Sequence, residues 1–390
     1  MRVTGVIAEY NPLHRGHAWH LAQAREQSGA DYVVAVMSTV FTQRGDAAIL
    51  SPADRVRMAL LAGADAVIAL PVLWAVRDAE HFALGGVSLL HRLGCTHLSF
   101  GAETDAPDLL TRTAALADSD DADLHAALRA GLDAGLPHPA AMAAACDRLL
   151  PGAGALLASP NNTLGLCYLR AMRRIGSGMT AVPIRRTSDY HATGLIDALP
   201  SATAVRGAIL HGDWQGVRSA VPEAAWSVLA GAAQAGRLHR PEALDQALLY
   251  RLRTLSDSEL HALPGLSEGI EDRLLAVART NRTRETLLAA AKTRRYPYAR
   301  LSRLCTHALL GLTDPLPEDG PPAAWLLGFR QDAAPLLTHM KKSGFPLIGK
   351  AADIDRDTPW FAAECRAFDL WALGAGLPSG LAFTQGVVRV

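Results

Sequence analysis

Four short apolar runs, at 2–8, 32–37, 66–70 and 97–100, are separated in the first hundred residues by stretches with helical spacing. This alternation constrains the fold more than any other feature. Parallel strands need a crossover between them, and strand–helix–strand units wind right-handed around a sheet. The runs are rich in Val, Ile and Ala without polar alternation, as expected of strands buried on both faces. Helix signals fall between them. Gly29 stands just past the helix expected over 15–28. Ser51-Pro52-Ala53-Asp54 opens the next helix, with Ser51 as N-cap, Pro52 at the first helical position and Asp54 as the capping-box acid. In such sheets ligands bind at the carboxyl ends of the strands.

Composition narrows the class. Of 390 residues, 49% are hydrophobic and 19% charged, which excludes an intrinsically disordered chain. A formal net charge of zero excludes a uniformly basic nucleic-acid coat but leaves room for a local basic patch. The five cysteines are widely spaced and form no CxxC pair. That pattern argues against a disulfide framework or structural zinc and for reduced thiols in a cytoplasmic protein. The first residues meet a proline and charges too early for a signal peptide. The most membrane-like run, 58–76, contains Gly63, Asp65 and Pro71 and reads as helix end, turn and buried strand. Residues 105–158 read as helices with loops, and 159–210 as a helix over 163–174 followed by a strand at 181–185. From 211 the pattern is almost wholly helical, with an indistinct tail from 345. The expected fold is therefore α/β, a Rossmann-like parallel-sheet domain over 1–210 followed by a mainly α-helical C-terminal domain over 211–390.

The chemistry concentrates in Tyr10-Asn11-Pro12-Leu13-His14-Arg15-Gly16-His17, between the first strand and the first helix. A helix N-terminus offers unpaired N–H donors and partial positive charge to an anion. Gly16 lets phosphate approach the backbone. His14 and His17 can donate to oxygens of an α-phosphate that gain charge in the transition state; losing one such donor typically costs about 3–4 kcal/mol. An HxxH pair alone can equally cap a turn; it is the strand, Asn-Pro, HxGH and helix together that point to a nucleotide. A second anion site is readable in Ser201-Ala202-Thr203-Ala204-Val205-Arg206, where Ser201 and Thr203 can hold β- and γ-phosphates and Arg206 can add a charge-assisted bond. The same residues also make an ordinary N-cap with a solvated arginine.

The two motifs together resemble the nucleotidyltransferase superfamily related to class I aminoacyl-tRNA synthetases. More narrowly, the chain resembles the bacterial tRNA(Met) cytidine acetate ligase family. The stretches carrying the resemblance are GVIAEYNPLHRGH (5–17), VVAVMSTVFTQRGDAAI (33–49), ALPVLWA (69–75), FGAE (100–103), SPNNTLGLCYLRAM (159–172), IRRTSDYH (184–191), LPGLSEGIEDRL (263–274) and KTRRYPYARLSRLCTHALL (292–310). Family members usually carry a more polar residue at the position of Pro297. Residues 105–158 and the last eighty or so do not align.

The resemblance implies an ATP-dependent acetate ligase. ATP and acetate give acetyl-adenylate and pyrophosphate. The exocyclic amine of the wobble cytidine in elongator tRNA(Met) then yields N4-acetylcytidine and AMP, without acetyl-CoA. It implies an HxGH nucleotidyltransferase, ATP-binding domain over 1–210 and a helical RNA-binding domain over 211–390. By the same resemblance ATP contacts fall on Ile7, Ala8, Glu9, Tyr10, Asn11, Pro12, Leu13, His14, Arg15, Gly16, His17, His20, Gly101 and Asn161, and on Arg185 or Arg186. Mg2+ is expected with ATP, held largely by phosphate and water, with Glu9 and Asp189 as nearby acids.

Thr39, Thr42, Gln43, Arg44 and Gly45 follow the second strand on the substrate side of the sheet and can bind acetate or the cytosine edge; they can also form a solvated loop. Between 236 and 310 there are 13 Arg and Lys against 8 Asp and Glu. Lys292, Arg294, Arg295, Arg300 and Arg303 cluster there without an acid, interleaved with Tyr296 and Tyr298. Cations contact phosphates and exposed rings stack on unpaired bases, so this tract is the expected tRNA contact. The partners expected are tRNA and acetate, with neither DNA nor a membrane. The competing reading is a small-molecule adenylyltransferase, which accounts for both phosphate motifs but not for the basic helical extension.

Overall fold

The computed structural model describes residues 1–104, 106–185, 201–266, 269–315 and 318–390, and of Pro160 and Asn161 the backbone alone. The five expected strands are present as β1 (Val3–Ala8), β2 (Tyr32–Ser38), β3 (Ala66–Leu70), β4 (His97–Ala102) and β5 (Thr180–Arg185). They run parallel in the order β5-β4-β1-β2-β3. The register sets Ala8 beside Met37 and Ser38 beside Leu70, so the loops leaving β1, β2 and β3 emerge side by side at one edge. Helix α1 (Arg15–Ser28) ends at Gly29, whose φ of 62° is the left-handed conformation glycine adopts without strain. Helix α2 (Pro52–Leu61) begins as its sequence dictates, with the Ser51 hydroxyl accepting from the Asp54 N–H. The helix Ala79–Arg92 lies so close to β1 that a Cβ on Gly86 would stand 2.5 Å from the Ile7 side chain.

The C-terminal third departs from the expected division. Three more strands, β6 (Ala324–Phe329), β7 (Leu347–Ile348) and β8 (Val388–Arg389), extend the same sheet. β6 pairs antiparallel with β3, placing Ala66 opposite Phe329 and Ile68 opposite Leu326, and β7 and β8 run parallel to β6. One apolar core accordingly runs from Val3 to Val388 and includes Trp360, Phe361, Phe368 and Trp371 of the helix Pro359–Gly374. A boundary at 210 therefore does not bound the sheet. The β6 sequence AWLLGF is a short apolar run, which periodicity alone cannot tell from a buried helix, and its partner lies more than two hundred residues upstream.

The helical character expected after 211 is found, and part of it forms a unit of its own. A second apolar cluster, built only from residues between Leu248 and Ala308, holds together the helices Asp245–Thr254, Ile270–Thr280, Arg284–Ala291 and Tyr298–Leu310. A third small cluster, Leu124 to Ala153, holds the alanine-rich helices that follow β4. Pro297 is the N-cap of Tyr298–Leu310, with φ −65° and ψ 150°, so a proline there starts the helix cleanly.

Candidate active site

His14 is the N-cap of α1, with extended backbone at φ −136° and ψ 174°. Its Nδ1 accepts the Gly16 N–H at 3.1 Å, and the His17 Nδ1 accepts the His14 N–H at 3.3 Å. The two imidazoles replace the serine and glutamate of an ordinary capping box. With Nδ1 used as an acceptor in both rings, the proton of each neutral imidazole resides on Nε2, the form that donates to an anion. The rings stack with centroids 3.8 Å apart, and Tyr10 meets His17 edge-on at 5.1 Å. His14 is only 4% exposed.

The loop before α1 is anchored from three directions. Tyr10 has a φ of 46°, and the Asn11–Pro12 peptide is cis. The Asn11 side-chain oxygen accepts the Ile49 N–H at 2.8 Å, and its backbone carbonyl accepts from the Arg206 guanidinium at 2.6 Å. Arg206 also donates to the Thr203 hydroxyl at 3.2 Å. Arg55, on α2 and fully buried, donates to the carbonyls of Glu9, Tyr10, Ser38 and Thr39. It thereby ties the carboxyl ends of β1 and β2 together. Burial lowers its pKa to about 10, opposed by nearby Glu9. Sequence reasoning missed Arg55, although a signal existed. Pro52, Arg55, Val56 and Ala59 share one face at i, i+3, i+4 and i+7, so the cation stands where an apolar residue is due.

Glu9 continues β1 into this loop. Burial pushes its carboxyl pKa up; the Gln43 N–H and the guanidinium groups of Arg55, Arg44 and Arg206 oppose the rise. The Gln43 N–H donates to the Glu9 Oε1 at 2.5 Å, and the Gln43 side chain donates to the Arg77 carbonyl at 2.8 Å. Gln43 and Arg44 thus lie on a turn bordering the HxGH loop. Thr39 does not. It is fully buried, and its hydroxyl donates to Glu364 of the helix Pro359–Gly374 rather than facing a substrate. Tyr10 and Leu13 are likewise buried in the core, so any contact they make with a nucleotide comes from the backbone. Ile7 packs against Gly86 of the helix Ala79–Arg92.

The remaining candidates are arranged around the same edge. Ser99 on β4 is 3.3 Å from the His20 Nε2. Gly101 lies on β4 opposite Ile184 on β5, and Arg185, exposed at the end of β5, is opposite Ala102. The side-chain oxygen of Asn162 accepts the Glu103 N–H at 2.8 Å and holds the end of β4. Arg186 and Asp189 lie outside the described residues. Ser201 caps the helix Ala202–His211 through its hydroxyl, which accepts the Ala204 N–H at 3.1 Å. Among the described residues no group of three or more His, Cys, Asp and Glu is placed to hold a metal ion.

The basic tract splits by exposure. Lys292, Arg294 and Arg295 are exposed, Arg300 and Arg303 half-buried. Arg300 donates to the Gly265 carbonyl at 3.0 Å. Burial, together with Arg300 and Arg77, lowers the Arg303 pKa; Asp78 opposes this. Tyr296 does not present its ring for stacking. It is 8% exposed, packs in the core of the helical unit and lies under the Arg295 guanidinium. Tyr298, 42% exposed, is the aromatic side chain that this tract presents to solvent.

A parallel sheet whose first strand leads into a histidine-capped helix defines a class of nucleotidyltransferases. The family model described as HIGH Nucleotidyl Transferase matches residues 1–378. A tRNA(Met) cytidine acetate ligase of Geobacillus sp. (strain WCH70) is 36% identical over 376 residues, 94% of this chain and 93% of the relative. That of Bacillus subtilis (strain 168) is 35% identical over 385 residues, 96% of this chain and 92% of the relative. The chain belongs to the tRNA(Met) cytidine acetate ligase family. The crystal structure of Thermotoga maritima TmcAL bound with alpha-thio ATP matches at a TM-score of 0.88 and 27% identity, with all of both chains covered. The apo form of the same protein matches at a TM-score of 0.92 and 28% identity, again over all of both chains.

Proposed function

We propose that this protein activates acetate with ATP and transfers the acetyl group to N4 of the wobble cytidine of elongator tRNA(Met). In the first step an acetate oxygen attacks the α-phosphorus and the bond to the pyrophosphate oxygen breaks, giving acetyl-adenylate and pyrophosphate. In the second, the cytidine amine attacks the acetyl carbonyl. A C–N bond forms, the C–O bond to AMP breaks, and N4 loses a proton. His14 and His17 donate from Nε2 to the α-phosphate as its charge reorganises. Arg206, held against the same loop through the Asn11 carbonyl, would take the outer phosphates. Arg44 and Gln43 border the acetate side, and Gly101, Asn161 and Arg185 or Arg186 complete the nucleotide contacts. Mg2+ would enter with ATP and neutralise phosphate charge, with no protein cage required. Lys292, Arg294, Arg295, Arg300 and Arg303 hold tRNA phosphates. With five free cysteines, the protein suits the reducing cytoplasm where tRNA is modified.

The observation that carries this reading is the meeting of the two phosphate motifs. Arg206 donates to the Asn11 carbonyl, three residues before His14, across 195 residues of sequence. With ATP and acetate the protein should exchange labelled pyrophosphate into ATP, and with tRNA it should move labelled acetyl to RNA without CoA. His14→Ala or His17→Ala should reduce exchange roughly 100- to 1000-fold while tRNA affinity stays unchanged. Label transfer that requires acetyl-CoA would overturn the donor assignment. Equal loss of exchange and RNA binding would overturn the division of roles.

A further inference from the structure

The turn carrying Gln43 and Arg44 is held from the helical unit, not from the sheet alone. Arg284, at the start of the helix Arg284–Ala291, donates to Asp46 Oδ1 at 3.0 Å, to the Gly45 carbonyl at 3.0 Å and to the Ser302 hydroxyl at 2.5 Å. The Ser302 hydroxyl donates to the Arg44 carbonyl at 2.5 Å, and the Thr306 hydroxyl donates to the Gly45 carbonyl at 2.6 Å. A Cβ on Gly45, whose φ is 80°, would stand 2.8 Å from the Ser302 carbonyl oxygen, so the turn and the helix Tyr298–Leu310 touch backbone to backbone. The other side of the turn reaches the phosphate edge, through the Gln43 N–H on Glu9 and the charges of Asp46 and Arg206. Arg284 is largely covered, and Asp46 holds its pKa up in spite of burial.

We propose that Arg284 is a positioning residue for acetate activation. It touches no reacting atom. By holding Gly45 and Asp46 against Ser302 it fixes Gln43 and Arg44 beside Glu9, so that the unit carrying the tRNA face also shapes the adenylate site. This inference rests on the reading of acetate activation above.

The test uses the full chain and measures acetate-dependent pyrophosphate exchange, with kcat and the KM for acetate resolved, tRNA affinity and thermal melting. Arg284→Ala should lower kcat/KM for acetate roughly 10- to 100-fold through misplacement of the turn, with tRNA affinity within about twofold of wild type. Arg284→Lys should restore part of the loss, since one of the three contacts survives. Asp46→Ala, which removes the carboxylate but leaves the Gly45 and Ser302 contacts, should lose a part of that amount, and the double variant should be no worse than Arg284→Ala alone, as expected of one shared contact. An Arg284→Ala protein with exchange within about twofold of wild type, additive losses, or parallel loss of exchange, tRNA binding and melting temperature would each overturn the proposal. Should Arg284→Ala not fold, Arg284→Lys and Asp46→Ala decide: exchange at the wild-type level in both rejects the role. Absence of exchange in the wild-type protein would reject acetate activation instead, a different result from an unaffected variant.

Discussion

Glu364 illustrates how far one side chain can be taken from its solution chemistry. It is fully buried on the helix Pro359–Gly374; one carboxyl oxygen meets the Thr39 hydroxyl and the other accepts the Val72 N–H at 2.6 Å. Burial raises its pKa from 4.5 to about 7, against both hydrogen bonds. The folded protein therefore retains a proton that the unfolded chain gives up between these values. Below about pH 4.5 the group leaves stability unchanged; as pH rises from there to about 7 stability falls by about 3 kcal/mol in all, and above 7 it levels off. Glu364→Gln keeps an acceptor for Val72 and a partner for Thr39 but does not titrate. Denaturant unfolding at pH 4.5 and pH 8.5 should show the Gln variant gaining on wild type by about that amount at the higher pH. Parallel curves would show that Glu364 is ionised throughout or reaches water. His14 and His17 are the opposite case: their place at the start of α1 was readable because Nδ1 meets backbone two or three residues away, a distance the sequence specifies.

At the scale of elements, the local devices were legible. The Ser51-Pro52 start of α2, the Gly29 stop of α1 and the HxGH cap depend only on neighbours within a turn. The tract over 292–303 was legible as a charge excess but not as a surface. Tyr296 lies on the core side of the helical unit, while Lys292, Arg294 and Arg295 face solvent. Which way a tyrosine points depends on the helices packed beside it, and single-residue spacing does not report that. The exposed cations supply the prediction at this scale. Replacing Arg294 and Arg295 together by Ala should weaken tRNA binding and reduce the slope of log K against log salt by about 1–2 units. Acetate-dependent exchange without tRNA should be unchanged. If exchange collapses in this variant, the tract holds the fold rather than the RNA.

For the whole molecule, the sheet is closed by residues far from it in sequence. β6 covers the β3 edge, and the helix Pro359–Gly374 sends Trp371 to the Ala48 carbonyl at 2.6 Å and Glu364 to Thr39 and Val72. Removing residues 319–390 would uncover the Val67–Ile68 edge of β3 and the apolar face beneath that helix, and bare strand edges template aggregation. The truncated chain should be recovered mainly as aggregate, or should melt without a cooperative transition. A soluble, cooperatively melting truncation that still exchanges pyrophosphate would show that the C-terminal strands are dispensable to the catalytic fold.

Residue order alone was enough for the alternation of strand and helix through β5 and for the helix starts at His14 and Ser201, because each is set by periodicity or by hydrogen bonds within a few residues. It took the folded chain to bring Arg206 to Asn11, to gather four carbonyls on Arg55, to turn Thr39 toward Glu364 and to return the chain at β6 to the first sheet. Those pairings join residues tens to hundreds of positions apart, and they are chosen by which apolar faces bury one another, a quantity carried by the folded whole and not by any one segment.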